Sequence, residues 1–241
     1  MNMSDFLIVL PEVIISVYAM LALIVFVYTG KDRHAVVSLW LTSAVLVLTA
    51  AIIGLGQSNA SAAFGDMFVN DSFSRFVKVV VLLSAAVVLL MGQAYAAKRD
   101  MLKFEYPLLI SLAVVGMMVM VSAGSLMTLY MGLELQSLAL YVIASFRRDN
   151  PKSTEAGLKY FVLSALATGL LLYGCSLIYG FTGSTNFEII SQNPLEFFKH
   201  ALNSAIHVPL LNPFHIYSEH NFVSSEIYYT SQKHNDLILP R

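Results

Sequence analysis

Six apolar runs, each near the length of a bilayer-crossing helix and parted by brief polar loops, leave this chain few folds to choose from. They are about Phe6 to Tyr28, Ala35 to Leu55, Ser74 to Ala96, Pro107 to Val121, Ser125 to Phe146 and Glu155 to Phe181, the fourth being the shortest. Hydrocarbon offers no partner to a bare peptide group, so runs of this length select helices whose backbone bonds close within the segment. With 57% apolar and 12% charged residues, the chain lies outside the range of soluble globular domains. The predicted fold class is all-α, a polytopic transmembrane helix bundle seated in a lipid bilayer. The amino terminus lacks the basic leader and small-residue cleavage site of a signal peptide and reads as an uncleaved first helix.

The loops alternate in charge. Lys31 and Arg33 follow the first span, Lys98, Arg99 and Lys103 the third, and Arg147, Arg148 and Lys152 the fifth, whereas the loops after the second and fourth carry no Lys or Arg. The positive-inside rule makes the basic loops cytoplasmic and puts the amino terminus outside. A net charge near zero, with Lys and Arg scattered in twos and threes, excludes the basic surface that nucleic acid requires. A lone cysteine, Cys175, supports neither a disulfide, an iron-sulfur cluster nor a structural zinc site, and reads as a small buried residue of its helix. From about Phe198 the chain turns polar, is broken by Pro209 and Pro213, and holds His200, His207, His215 and His234. These histidines lack metal-ligand spacing, and the segment is expected to be a poorly ordered polar tail with no metal.

One charge sits where insertion is hardest. Glu134 lies midway along the fifth run, and an acid at a membrane helix centre costs roughly 2.5 to 3.5 kcal/mol on insertion scales. Such a group usually faces a protein interior or a water path. Tyr130, Ser137 and Tyr141, at i−4, i+3 and i+7, share its helix face. Hydroxyls aligned with a carboxyl group in a low dielectric can hold water and relay protons, which is the layout of a proton path. The structural alternative is a neutral Glu hydrogen-bonded to a neighbouring helix, with the tyrosines as packing.

Lys159, on the next run, is the cation to weigh against Glu134. Asn150 and Pro151 read as an N-cap and first helical residue, and the short link predicts antiparallel neighbours. At 1.5 Å per residue, Lys159 stands roughly 12 Å from Pro151 and Glu134 roughly 18 Å from Phe146, a depth difference of about 6 Å. A lysine stem or one water closes that gap. The rival partner is Glu155, four residues earlier on the same helix. Glu12, Lys78 and Glu105 lie near predicted helix ends and are expected to be satisfied by snorkelling or interfacial water. No phosphate-binding loop or dinucleotide fingerprint is present in the sequence.

The runs Tyr130 to Tyr141 (YMGLELQSLALY), Ser153 to Leu163 (STEAGLKYFVL) and Leu177 to Phe187 (LIYGFTGSTNF), with Pro11 and Glu12, resemble subunit N of bacterial proton-pumping NADH:quinone oxidoreductase, respiratory complex I. The mitochondrial counterpart is chain 2. The resemblance covers about residues 1 to 190 and implies an antiporter-like membrane-arm subunit, with other such subunits as partners, in a bacterial inner membrane. NADH and quinone are used by the whole complex, and no cofactor is implied in this chain. In that family the fifth-helix acid, here Glu134, belongs to a charged pair that gates proton movement, and the sixth-helix Lys, here Lys159, is also functional. Family members have about fourteen helices built around two inverted repeats, of which about six are expected here. Residues 1–105 would hold three leading helices, 106–190 the first three of a repeat, and 191–241 a tail unlike the family. Pro213, Phe214 and His215 echo a family tripeptide without the rest of its motif, as a frameshift or truncation would produce. The expected function is proton translocation coupled to quinone reduction. A structural or assembly element, an inert fragment of the subunit, and a free-standing cation/proton antiporter stand as alternatives.

Overall fold

Uninterrupted apolar sequence becomes helix in the computed structural model, which describes residues 3–29, 35–56, 61–98 and 103–192. Six long helices follow in order: α1 (Met3–Thr29), α2 (Ala35–Leu55), α3 (Ser72–Lys98), α4 (Glu105–Val121), α5 (Leu126–Ala144) and α6 (Pro151–Thr182). Five are long and apolar enough to cross a membrane, and α4, at 17 residues, is apolar but shorter. The chain is a multi-pass all-α membrane bundle. The expected tail and its histidines, and Lys31, Arg33 and Arg99, lie outside the described residues.

The core sits among the first four helices, where Ile15, Leu46, Ala50, Leu82, Leu89, Val114 and Met118 pack together. Hydroxyls add bonds between helices that apolar contact alone would not orient. Thr42 donates to the Ser38 carbonyl of its own helix at 2.7 Å, which leaves Tyr18 of α1 to donate to Thr42 at 2.9 Å. Ser38 in turn donates to the Phe104 carbonyl at the start of α4, at 3.0 Å.

Helices α4 and α5 cross with backbones almost touching. A Cβ built on Gly116 would stand 2.5 Å from the Gln136 amide nitrogen, and one on Gly132 would stand 2.8 Å from that of Met120. Small residues allow such an approach, which gains dispersion contact where no hydrophobic effect drives association. Helix α6 then packs antiparallel on α5, as the short link between them predicts. Asn150 caps it by accepting from the Lys152 amide at 3.0 Å, Pro151 opens it, and Gly157 sits against Ser145.

Two features were absent from the sequence reading. A small hairpin, β1 (Ser61–Ala63) with β2 (Phe68–Asn70), joins α2 to α3, and a short helix α7 (Phe187–Gln192) follows α6. The hairpin turn puts Phe64, Gly65 and Asp66 at φ of 56°, 66° and 64°. It is stitched to the other loops at that end of the bundle. Val69 donates its amide to the Ser122 carbonyl at 2.8 Å, Gly124 to Met67 at 2.9 Å, and Leu126 to Thr185 at 2.9 Å. Gly124 is obligatory, since a Cβ there would collide with the Asp66 carbonyl. Asp71 and Ser74 form a reciprocal cap on α3, Ser74 donating its amide to Asp71 Oδ1 at 2.7 Å and Asp71 donating its amide to Ser74 Oγ at 3.0 Å.

Two outcomes follow from these contacts. Gly116→Ala should destabilise the chain by about 1 to 3 kcal/mol through overpacking, whereas Gly169→Ala, with nothing within 4 Å of its added carbon, should be neutral or stabilising. Thermal unfolding in detergent reads both, and equal shifts would contradict the close crossing. The bond from the Ser74 amide, followed by that from its side chain, lowers the affinity of Asp71 for a proton below the ordinary value of 3.8. Its contribution is therefore present above that value and lost as pH falls through the folded-state value. Asp71→Ala should remove about 1 kcal/mol at neutral pH, and show no penalty once the native carboxyl is protonated.

Candidate functional site

Tyr130, Glu134, Ser137 and Tyr141 all lie on α5. Tyr130, Glu134 and Ser137 are half-buried and Tyr141 is buried. Tyr130 stands close enough to Glu134 for the two side chains to interact electrostatically. Tyr141 donates to Ser164 Oγ of α6 at 2.6 Å, and its ring meets Tyr160 and Phe161 edge-on at 5.1 and 5.5 Å. The stripe thus runs from Glu134 toward a hydroxyl contact on the next helix.

Lys159 takes the local partner. Its Nζ lies 2.6 Å from Glu155 Oε1, one turn back on α6, with the two side chains 70% and 61% exposed. Among the described residues no ion pair joins Lys159 to Glu134. An exposed pair of this kind contributes only about 0.3 to 0.5 kcal/mol, so the lysine remains free to exchange partners at little cost. Glu134 therefore stands in the middle of its helix without a cation at ion-pair distance among the described residues.

The expectation for Glu12 and Lys78 is corrected. They are not satisfied by snorkelling or by interfacial water: Lys78 Nζ of α3 lies 2.6 Å from Glu12 Oε1 of α1, and the side chains are 2% and 3% exposed. Each sits more than one turn inside its helix, and the packing of α1 and of α3 against α2 and α4 brings together charges that are far apart in sequence. Lys78 also lies over the Phe68 ring, 4.8 Å from its centroid. A clue was available in the sequence, because two opposite charges at similar depth from the same end of two spans that run in the same direction are candidates for pairing. Glu105 does open α4, at a helix end as expected, but it too has a protein partner, a partly exposed pair with Arg148 at 3.6 Å. Cys175 is buried, as its apolar helix suggested.

Comparison with known proteins places this geometry. A family model described as NADH:quinone oxidoreductase/Mrp antiporter, TM, matches residues 123–215, a span that includes the α5 stripe and α6 and runs past residue 190. The chain is 59% identical over 188 residues to NADH-quinone oxidoreductase subunit N of Rhodobacter capsulatus, covering 78% of this chain and 39% of that relative. It is 49% identical over 185 residues to the subunit N of Rhodospirillum rubrum, covering 76% and 38%. Among solved structures, respiratory complex I from Thermus thermophilus with bound aureothin aligns with a TM-score of 0.59 and 29% identity, over 73% of this chain and 38% of that one. An archaeal membrane-bound sulfane sulfur reductase shares the fold, with a TM-score of 0.57 at 18% identity. The chain spans about two-fifths of the length of the curated relatives it matches, and the likeness to subunit N of NADH-quinone oxidoreductase carried by its motifs is borne out over that shared portion.

Proposed function

We propose that this chain serves as part of a membrane-arm subunit of a proton-translocating NADH:quinone oxidoreductase, in which Glu134 binds and releases the proton. The observation that carries this reading is a half-buried carboxyl group at mid-helix with no cation at ion-pair distance among the described residues, aligned with Tyr130, Ser137 and Tyr141. Such an acid changes charge state when a neighbouring charge moves, and the hydroxyl line supplies positions for water. Lys159 is the proposed mobile charge. Held by Glu155 it leaves Glu134 ready to take a proton, and swung toward Glu134 it favours release. Moving one charge across the membrane field takes about 2.3 kcal/mol per 100 mV, so the energy comes from NADH oxidation and quinone reduction in other subunits. This chain supplies no redox centre in that scheme, and its own residues handle only protons.

The long, largely exposed α6 supports the proposed partners, which are further helices of the same membrane arm. The bacterial relatives support a place in the bacterial inner membrane. The end of the bundle bearing Lys98, Lys103, Arg147, Arg148 and Lys152 is then cytoplasmic, and the hairpin faces outward. A structural or assembly role remains the rival reading, favoured by the ready local partner of Lys159.

In the intact complex, Glu134→Gln should depress proton pumping while the complex still assembles. Unchanged pumping with normal quinone reduction would remove the assigned role and favour the structural one. Orientation is tested separately: with Cys175→Ser as background, Asp66→Cys in sealed cells should react with a membrane-impermeant thiol reagent added outside, and Lys152→Cys should not. The reverse pattern would invert the bundle.

A further inference from the structure

We propose that the Glu12–Lys78 pair is a second proton-exchange site, reached by water from the hairpin end of the bundle. The carboxylate makes a single contact of ionic strength. Glu12 Oε1 meets Lys78, and neither Glu12 oxygen accepts a hydrogen bond from any other described group, so Oε2 is buried and bare. A carboxylate kept only for structure in so dry a place would be expected to have its remaining lone pairs filled.

A cavity approaches the pair from its lysine side. The cavity, of about 220 Å³, is lined by Pro11, Ile53, Gly56, Asn70, Arg75 and Lys78, among others. Its lining includes buried Lys78 as well as half-exposed Asn70 and exposed Gly56. Glu12 stands about 9 Å inside Phe6, the first residue of its apolar run, and Lys78 about 9 Å inside the start of α3, at 1.5 Å per residue. Two or three waters cover that depth, and the cavity has polar groups to hold them.

The lysine has a second place to put its charge. Besides Glu12, Lys78 faces the Phe68 ring and feels the field of Asp71, while Arg75 is occupied by the carbonyls of Ile53 and Gly56 at 2.7 and 2.5 Å. A proton arriving on cavity water forms an O–H bond at Glu12 Oε2 as the hydronium O–H bond breaks. The ammonium of Lys78 keeps its proton and is held by Phe68 and Asp71, and the pair gains one positive charge. Loss of the proton to the same water restores the ion pair. No other reactant is needed.

The test uses the full chain in lipid nanodiscs and infrared spectroscopy of carboxyl groups. On acidification a protonated-carboxyl C=O band should appear that is lost in Glu12→Gln and recovered, displaced in frequency, in Glu12→Asp. In Lys78→Met the band should already be present at neutral pH. Transfer to D2O should shift it at once, and Asn70→Trp, at the cavity mouth, should slow that shift. Absence of a Glu12-dependent band in the folded chain would overturn the site, and a band insensitive to D2O or to Asn70→Trp would overturn the route. The measurement requires no partner subunit, so it stands or falls apart from proton pumping through Glu134.

Discussion

Hydrocarbon solvates neither a charge nor an unpaired peptide group, and most features of this bundle are answers to that constraint. Helices satisfy their own backbones along their length but leave amide and carbonyl groups open at each end. Here the ends are finished by named groups: Asp71 and Ser74 at the start of α3, Asn150 at the start of α6, and Arg75 on the carbonyls of Ile53 and Gly56 where α2 ends. The hairpin and the links after α4 and α6 close the remainder by bonding to one another. That end of the bundle is a hydrogen-bonded cap. Its rigidity fixes where α3 begins, and hence the depth at which Lys78 meets Glu12.

The same constraint explains the glycines. Lipid tails are as apolar as leucine, so helices in a bilayer gain little from hiding apolar side chains and more from bringing backbones close. Gly116 and Gly132 let α4 and α5 approach to contact, and the pairing holds the helix bearing Glu134 against the four-helix core. On its other side Tyr141 ties α5 to α6 through Ser164. Glu134 is thus carried on a helix fastened along both flanks, while its own carboxyl group is left without a cation among the described residues.

Much of this was legible in sequence because the bilayer imposes a length and a polarity pattern that few residues can disguise. The six runs, the cap at Asn150 and Pro151, the antiparallel α5–α6 pair and the face shared by Tyr130, Glu134, Ser137 and Tyr141 all follow from rise per residue and helical period. What escaped depends on contacts across the fold. The hairpin at 61–70 is short, its strands are three residues each, and its turn relies on positive φ at Phe64 and Asp66, which no composition rule favours for phenylalanine. Glu12 and Lys78 are 66 positions apart in the chain, and distance from a helix end suggested solvent where packing supplied a partner. Lys159 shows the opposite case, in which spacing offered two partners and the local one holds it.

Glu12 and Glu134 carry the same group on the same kind of element, and their surroundings assign them different thermodynamic tasks. Breaking a buried ion pair by removing one member typically costs about 3 to 5 kcal/mol, because the charge left behind is unsolvated. Protonating Glu12 threatens that penalty, and the aromatic face of Phe68 and the field of Asp71 offset it. Glu134 has no cation to abandon at ion-pair distance among the described residues, so taking up a proton there strands nothing. On the two proposed readings, one acid answers to what its lysine can fall back on and the other to what charge approaches it, and the two carboxylates stand on different helices of one bundle.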